Sequence, residues 1–232
     1  MMRVDCHVHT EASWDGLLDY RRFIAEAVAA GLDAVIVCDH NTLSGAEMLR
    51  GMNPPFRVIS GIELSTTDGE LLAFFIRENI PARLRAEEVI ARVRAQGALV
   101  VLPHPFVRTA ANRLRPRTLE RVIDLVDAVE GFNGRNGRAS MDELGREWAA
   151  RHGKPLTAGS DAHLPGGIGT AYLEIDDFTD AAGFLANLPA ARPVVTRRSS
   201  DLASVLGFAQ VLARLAINRL HVARHDPQER KR

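Results

Sequence analysis

The chain has 232 residues, of which 46% are hydrophobic and 25% are charged. This composition is typical of a globular protein that buries a sizeable core, and the length fits one large α/β domain. The 29 basic and 29 acidic residues give a formal net charge of +0. That balance argues against a general nucleic-acid or membrane surface, but it permits a small anionic substrate in a local pocket.

Strands and helices alternate along the chain. Apolar or alternating stretches predict strands at 3–10, 33–40, 56–66, 69–76, 98–105, 128–133, 156–163 and 171–175. The third and fourth of these are joined by a turn at Asp68-Gly69, and helical spacing fills most of the other gaps. The alternation favours a parallel sheet, and the number of repeats favours closure into a barrel.

The carboxyl-terminal part of the chain differs from the rest. We expect one barrel domain over residues 1–200, followed by a helix at 201–224 and a disordered, charged tail at 225–232. The helix is expected to pack on the barrel or against a second copy of the chain in a homodimer. No stretch resembles a signal peptide or a membrane span, so we expect a cytoplasmic protein without a membrane partner.

The first predicted strand contains "DCHVHT". Asp5, His7 and His9 alternate with Cys6 and Val8, so the first three are expected on one face and the other two on the opposite face. Two imidazoles side by side on a rigid strand indicate a metal, although two unrelated polar residues at a strand end give the same pattern. Cys6, like Cys38 in the second strand, lacks the spacing of a zinc site or disulfide framework and is expected to be buried on the helix-facing side.

Ionisable residues accumulate at the carboxyl ends of the predicted strands. They are His7, His9, His40, His104 and His163, together with Asp39, Glu63 and Asp161. In a parallel barrel these ends converge on one rim, where active sites are built. Crowded carboxylates are costly to desolvate unless cations lie among them, so the rim predicts a metal site. His152, on a predicted helix, is expected at the surface.

Five motifs occur in order between about residues 3 and 176: "DCHVHT" with Asp15-Gly16 after it, "CDHN", "SGIELS", "LPHPF" and "GSDAH". Together they resemble the PHP superfamily, named for polymerases and histidinol phosphatases. The stretch "AVEGFNGRNGR" is similar to the carboxyl-terminal half of its small stand-alone phosphoesterases. The resemblance implies a distorted (β/α)7 TIM-like barrel with two or three divalent metal ions on its rim. Mixed imidazole and carboxylate ligands suit Zn²⁺, Mn²⁺ or Fe²⁺.

The resemblance also implies a ligand set for each metal. The first metal would be held by His7, His9, Glu63 and Asp161, the second by Glu63 as a bridge and His104, and the third by Asp15, His40 and His163. Some members supply a further histidine to the second metal from the strand equivalent to "AVEGFN", where this chain has only Glu130 and Asn133. Asp5 and Asp39 are expected to orient the imidazoles.

These ligands imply a reaction. A metal pair that shares Glu63 would make hydroxide available for hydrolysis of a phosphate monoester of a small metabolite or nucleotide, with Asp161 and His163 as further catalytic residues. Arg135, in the loop "NGRNGR", and Arg108, after "LPHPF", are candidates to bind the substrate phosphate, and solvated turns are the alternative.

Two other functions stay open. PHP domains also occur in polymerases, which favours a nuclease or 3′–5′ exonuclease acting on short oligonucleotides, although the neutral charge counts against it. A non-catalytic module would keep the fold, but it would be expected to lose ligands that this chain retains.

Overall fold

The computed structural model describes residues 1–107 and 113–198. The helix predicted at 201–224, the tail predicted at 225–232 and Arg108 lie outside these ranges. Within them, no helix is long and apolar enough to cross a membrane.

The described residues form nine strands and six α-helices. The strands are β1 (Met2–Val8), β2 (Ala34–Val37), β3 (Arg57–Thr66), β4 (Gly69–Phe74), β5 (Leu99–Leu102), β6 (Ala128–Asn133), β7 (Leu156–Gly159), β8 (Ala171–Ile175) and β9 (Arg192–Val195). The helices are α1 (Tyr20–Ala29), α2 (Ser44–Gly51), α3 (Ala86–Ala95), α4 (Pro116–Val122), α5 (Ala139–Arg151) and α6 (Ala181–Asn187). Sequence patterns alone do not predict α2, α6 or β9.

All nine strands belong to one sheet in the order β7-β6-β5-β4-β3-β2-β1-β8-β9. The sheet nearly closes on itself, because Val8 at the end of β1 bridges Ala162 just beyond β7. Two backbone hydrogen bonds hold this junction: Asp161 N–H donates to the His7 carbonyl at 2.7 Å, and His9 N–H donates to the Ala162 carbonyl at 3.0 Å. The predicted α/β barrel architecture is therefore confirmed.

The sheet is mixed rather than wholly parallel. The β4 strand runs antiparallel to both β3 and β5 because the short turn after Thr66 can join only antiparallel neighbours. The β8 strand, which the alternation pattern places in a parallel barrel, pairs antiparallel with β1 and β9.

The barrel interior is apolar at its base and ionisable at its rim. Leu72 on β4 and Ala128 on β6 belong to a buried interior cluster. Because side chains on one strand face repeat every second residue, Glu70 and Glu130 lie on the same inward rows but at the rim end. On β3, Glu63 occupies the equivalent position. The β3, β4 and β6 strands therefore each place a buried carboxylate at the rim, beyond the apolar base of the barrel.

The outer strand faces pack against helices. Helices α3, α4 and α5 cover one apolar cluster, and α1 and α2 cover another that contains Val8, Val35 and Val37. The pairing of β1 with β2 shifts register between Asp5 and Val8. This β-bulge puts Cys6 in the interior cluster and Val8 in the helix-facing one, so the expectation that they share a face is wrong. Cys6 and Cys38 are buried and free, as expected, but both belong to the interior cluster, so the expectation that they lie on the helix-facing side is wrong.

Candidate metal centre

Four side chains converge at the junction of β1, β3 and β7. His7 Nε2 and His9 Nε2 are 3.0 Å apart. Each of these nitrogens lies 3.3–3.5 Å from Glu63 Oε2 and 3.5–3.7 Å from Asp161 Oδ1. Ligand atoms of a tetrahedral site with bonds of about 2.1 Å lie about 3.4 Å apart, so these four atoms fit one divalent cation.

Glu63 faces donors on both sides. Its Oε2 lies 3.3 Å from His9 Nε2 and 3.3 Å from His40 Nδ1, whereas its Oε1 lies 3.1 Å from His104 Nε2. Glu63, Glu70 and His104 offer donor atoms that all lie within 4.8 Å of one another. Glu70 therefore completes a second group of donors around the shared Glu63 carboxylate.

A third group lies on the other side of His9. His9, His40 and His163 offer nitrogens that lie within 4.8 Å of one another. Asp15 joins two of these rings, since its Oδ1 is 3.4 Å from His40 Nε2 and its Oδ2 is 3.3 Å from His163 Nε2. Every side chain that the sequence predicts as a metal ligand thus lies in this one cluster.

Hydrogen bonds behind the cluster fix the orientation of the first two imidazoles. His7 Nδ1–H donates to Glu130 Oε1 at 2.9 Å, which leaves Nε2 free to face the site. Ser13 Oγ donates to Asp39 Oδ1 at 2.8 Å, and it accepts from His9 Nδ1–H at 3.0 Å. Asp39 therefore acts on His9 through Ser13.

Asp5 supports the backbone rather than an imidazole ring. It accepts hydrogen bonds from the Ser160 and Gly169 backbone N–H groups at 2.8 and 2.9 Å. Close packing of β7 on β1 also needs Gly159, because a Cβ there would lie 2.4 Å from His7 Cβ. The junction that carries His7 is therefore fixed by one buried carboxylate and one glycine.

The backbone is strained at two of these side chains. His104 has φ 25° and Asp161 has φ 51°, a region that non-glycine residues seldom occupy. Such conformations persist where surrounding contacts over-determine them, and they cluster at functional sites.

The imidazoles divide into protonated and neutral rings. Burial opposes the charged form of His9, but the hydrogen bonds that its ring donates to the Asp161 and Glu63 carboxylates outweigh burial and raise its pKa to about 9. Burial likewise opposes the charged form of His104, but Glu63 raises its pKa to about 9. For His163, burial and the Arg135 guanidinium lower the pKa to about 4, so this ring is neutral at pH 7.

The carboxyl groups divide into those that are ionised and those that hold a proton at pH 7. Burial favours the neutral form of Glu63, but the neighbouring His40 and His7 imidazoles hold its pKa well below the ordinary value. For Glu70, burial and the nearby Glu63 charge outweigh the opposing effect of His104 and His40 and raise its pKa to about 8. Protons on imidazoles and on Glu70 thus offset the negative charge that metal cations would otherwise neutralise.

The residues present fit divalent cations by a further criterion. Among the described residues, five buried side-chain nitrogen or oxygen atoms lack a hydrogen-bond partner. Four of them belong to this cluster: Asp15 Oδ1, His40 Nδ1, Glu70 Oε2 and His104 Nδ1. Asp15 Oδ1 and His40 Nδ1 have only the longer ion-pair contacts given above, and Glu70 Oε2 has none. Buried polar atoms without a hydrogen bond are costly, so these three atoms favour binding of cations here.

Arg135 lies at the edge of the cluster. Its Nη1 is 3.1 Å from His163 Nδ1 and 3.7 Å from Asp161 Oδ1, and its side chain is 46% exposed. This guanidinium carries a positive charge that solvent can reach. His152, directly after the end of α5, is exposed and packs against the Trp148 ring.

The sequence analysis does not predict the roles of three residues of the site, Glu70, Glu130 and Ser13. Glu70 has a signal in the hairpin register, since it pairs with Ser65 and so lies on the same face as Glu63. Glu130 has a weaker signal, a carboxylate inside an otherwise apolar strand. Ser13 has none, because its role depends on the loop between β1 and α1.

Comparison with known proteins places the chain in a family. Residues 143–193 match the family model of the PHP-associated domain. An uncharacterised protein of Methanocaldococcus jannaschii is 33% identical over 187 residues, which cover 76% of this chain and 71% of that protein. The chain belongs to the PHP family.

Solved structures share the fold at lower identity. PsfC from Pseudomonas syringae is 18% identical with a TM-score of 0.66, over 92% of this chain and 99% of that one. A two-domain protein from Bacteroides vulgatus, containing a predicted PHP-like metal-dependent phosphoesterase, is 19% identical with a TM-score of 0.60. The match covers 71% of this chain and about half, 52%, of that one. Endonuclease Q, in complex with a 27-mer duplex substrate, is 15% identical with a TM-score of 0.56, over 82% of this chain and 56% of that one.

Proposed function

We propose that the chain is a metal-dependent phosphatase that hydrolyses a phosphate monoester of a small metabolite or nucleotide. The observation that carries the proposal is the position of Glu63, whose two oxygens face donor atoms on opposite sides. A buried carboxylate with donors on both sides is suited to bridging two cations, and paired cations are typical of enzymes that transfer phosphoryl groups.

The proposed ligands follow the three groups of donor atoms. They are His7, His9, Glu63 and Asp161 for the first cation, Glu63, Glu70 and His104 for the second, and Asp15, His40 and His163 for the third. Zn²⁺, Mn²⁺ and Fe²⁺ all suit this donor set. When bound, such cations lower the pKa of water and neutralise phosphoryl oxygens.

The chain's own residues would bind and orient the ester. The Arg135 guanidinium, partly exposed beside His163, presents a planar fork that matches a phosphate group. His163, between Arg135 and Asp15, would help to hold the third cation, which would supply charge to stabilise the leaving oxygen. Glu130 and Ser13 would keep the His7 and His9 rings in the orientation that binding requires.

A phosphate-release screen tests the proposal. The purified chain would be supplied with Mn²⁺ or Zn²⁺ and offered 4-nitrophenyl phosphate, sugar phosphates, histidinol phosphate and nucleotide 3′,5′-bisphosphates. We expect release from at least one ester by the wild type and by the surface variant His152→Ala, and background rates from the double variant His7→Ala/Asp161→Ala. A metal-loaded wild type that releases phosphate from none of these esters would contradict the proposal.

A nuclease is the second candidate, because the chain shares its fold with endonuclease Q. Single-stranded and duplex oligonucleotides added to the same screen separate the two activities. Cleavage with binding that weakens steeply as salt rises would favour the nuclease. The formal net charge of +0 favours the small ester.

A further inference from the structure

Trp14 is an exposed aromatic side chain beside the metal centre. Its side chain is 55% exposed, and among the described residues no other Phe, Tyr or Trp is exposed. It immediately precedes Asp15 in the loop between β1 and α1. An indole has a large apolar face, and at this position that face lies in water beside the metal-ligand cluster.

The indole is aligned with the rings of the site. Its ring centroid lies 5.9 Å from that of His40 with an interplanar angle of 28°. The His40 and His163 centroids are 5.7 Å apart, and Arg135 Nη1 contacts His163 at 3.1 Å. Trp14 and the Arg135 cation therefore flank the same pair of imidazoles from opposite ends.

The loop holds Trp14 in a fixed place. Ser13 N–H donates to the Thr10 carbonyl at 3.2 Å, and Gly16 N–H donates to the Ser13 carbonyl at 3.1 Å. Leu17 N–H donates to the His163 carbonyl at 2.8 Å, which ties the loop to the β7 side of the rim. An exposed aromatic ring on an anchored turn is preorganised to receive a flat ligand.

We propose that Trp14 is the stacking platform for the ring of the substrate, so that the substrate class is a nucleotide. A nucleobase would lie on the indole while its phosphate lies near Arg135 and the metal ligands. Stacking on an aromatic side chain tolerates any base, because every base has a π-face. This inference rests on the phosphatase proposal, and it narrows the substrate from phosphate monoesters in general to nucleotides.

Matched esters test the inference. Adenosine 5′-monophosphate and glycerol 1-phosphate share the phosphate ester, but only the first has a ring, and 4-nitrophenyl phosphate carries a ring without a nucleoside. We expect Trp14→Ala to lower kcat/KM for adenosine 5′-monophosphate about tenfold more than for glycerol 1-phosphate, chiefly through KM. Trp14→Phe should recover most of the difference. Leu144→Ala removes another exposed apolar side chain, one on α5, and is the matched control.

Fluorescence supplies a readout that does not depend on turnover. The chain has two tryptophans, and the other, Trp148, is buried. Adenosine 5′-monophosphate should quench the wild-type emission more than glycerol 1-phosphate does, and Trp14→Phe should abolish that difference. Equal losses for both esters together with no selective quenching would overturn the stacking role while leaving the phosphatase intact. Selective quenching without hydrolysis of any ester would support the stacking role of Trp14 and contradict the phosphatase proposal.

Discussion

At the scale of single residues, the His7 and His9 rings are held in orientation by residues outside the proposed ligand set. His7 illustrates this, because its Nδ1–H donates to Glu130, and the other Glu130 oxygen accepts from the His104 and Asn133 N–H groups at 2.9 Å each. The Glu130 carboxylate thus fixes the His7 ring in the first donor group and the His104 backbone in the second.

Glu130→Gln tests this support. An amide in place of the carboxylate weakens the hydrogen bond that orients His7, so we expect metal affinity to fall about 10- to 100-fold with the fold retained. Competition titrations with a chromogenic chelator would measure the change, with the exposed Glu143→Gln as the control. Equal affinities in the two variants would show that Glu130 does not orient a ligand.

Glu70→Gln tests the composition of the second donor group. Glu70 has an unpaired buried oxygen and lies within 4.8 Å of the donors of Glu63 and His104. Loss of its carboxylate should lower the number of tightly bound metal ions by one per chain. Elemental analysis after gel filtration measures this, and an unchanged metal content would exclude Glu70 as a ligand.

At the scale of elements, local patterns predict the strands well, but they do not predict how the strands bend. The spacing of Asp5, His7 and His9 places the two histidines together, yet the β-bulge turns Asp5 toward the backbone of Ser160 and Gly169. Motif order identifies the ligands at strand ends. Glu130 and Ser13 act across strands and loops, so the sequence gives only a weak signal for Glu130 and none for Ser13.

Gly159→Ala tests the junction between β7 and β1. A Cβ would lie 2.4 Å from His7 Cβ and 2.6 Å from the His7 backbone nitrogen, so one strand must move. We expect a loss of about 1–3 kcal/mol in unfolding free energy, with weakened metal binding, as for other overpacked sites. Denaturant unfolding measures the loss. Gly51→Ala, where a Cβ would meet nothing within 4 Å, should have little effect or stabilise α2.

At the scale of the whole molecule, the barrel concentrates ionisable groups at one end of an apolar interior. The fold therefore depends on protons or cations to offset buried carboxylates. Cations that bind only the folded state should also stabilise it by mass action. Chelation of the metals is then expected to lower Tm.

The pH dependence of the chelated protein follows from the same charges. His9 and His104 bind protons more tightly when folded, with pKa values of about 9 against an ordinary value of 6.5. Their stabilisation is full below pH 6.5 and is lost as pH rises through 9. Glu70, with its pKa raised to about 8, acts in the same direction. Thermal unfolding in EDTA should therefore give a Tm that falls between pH 6.5 and 9, and a rising Tm would contradict this charge pattern.

The central claim is that this rim is a centre for several metal ions. The most direct measurement is elemental analysis of the purified protein, with His7→Ala/Asp161→Ala alongside. We predict two or three divalent ions per chain in the wild type and at least one fewer in the double variant. A wild type that binds none, even after incubation with Zn²⁺, Mn²⁺ or Fe²⁺, would contradict the claim.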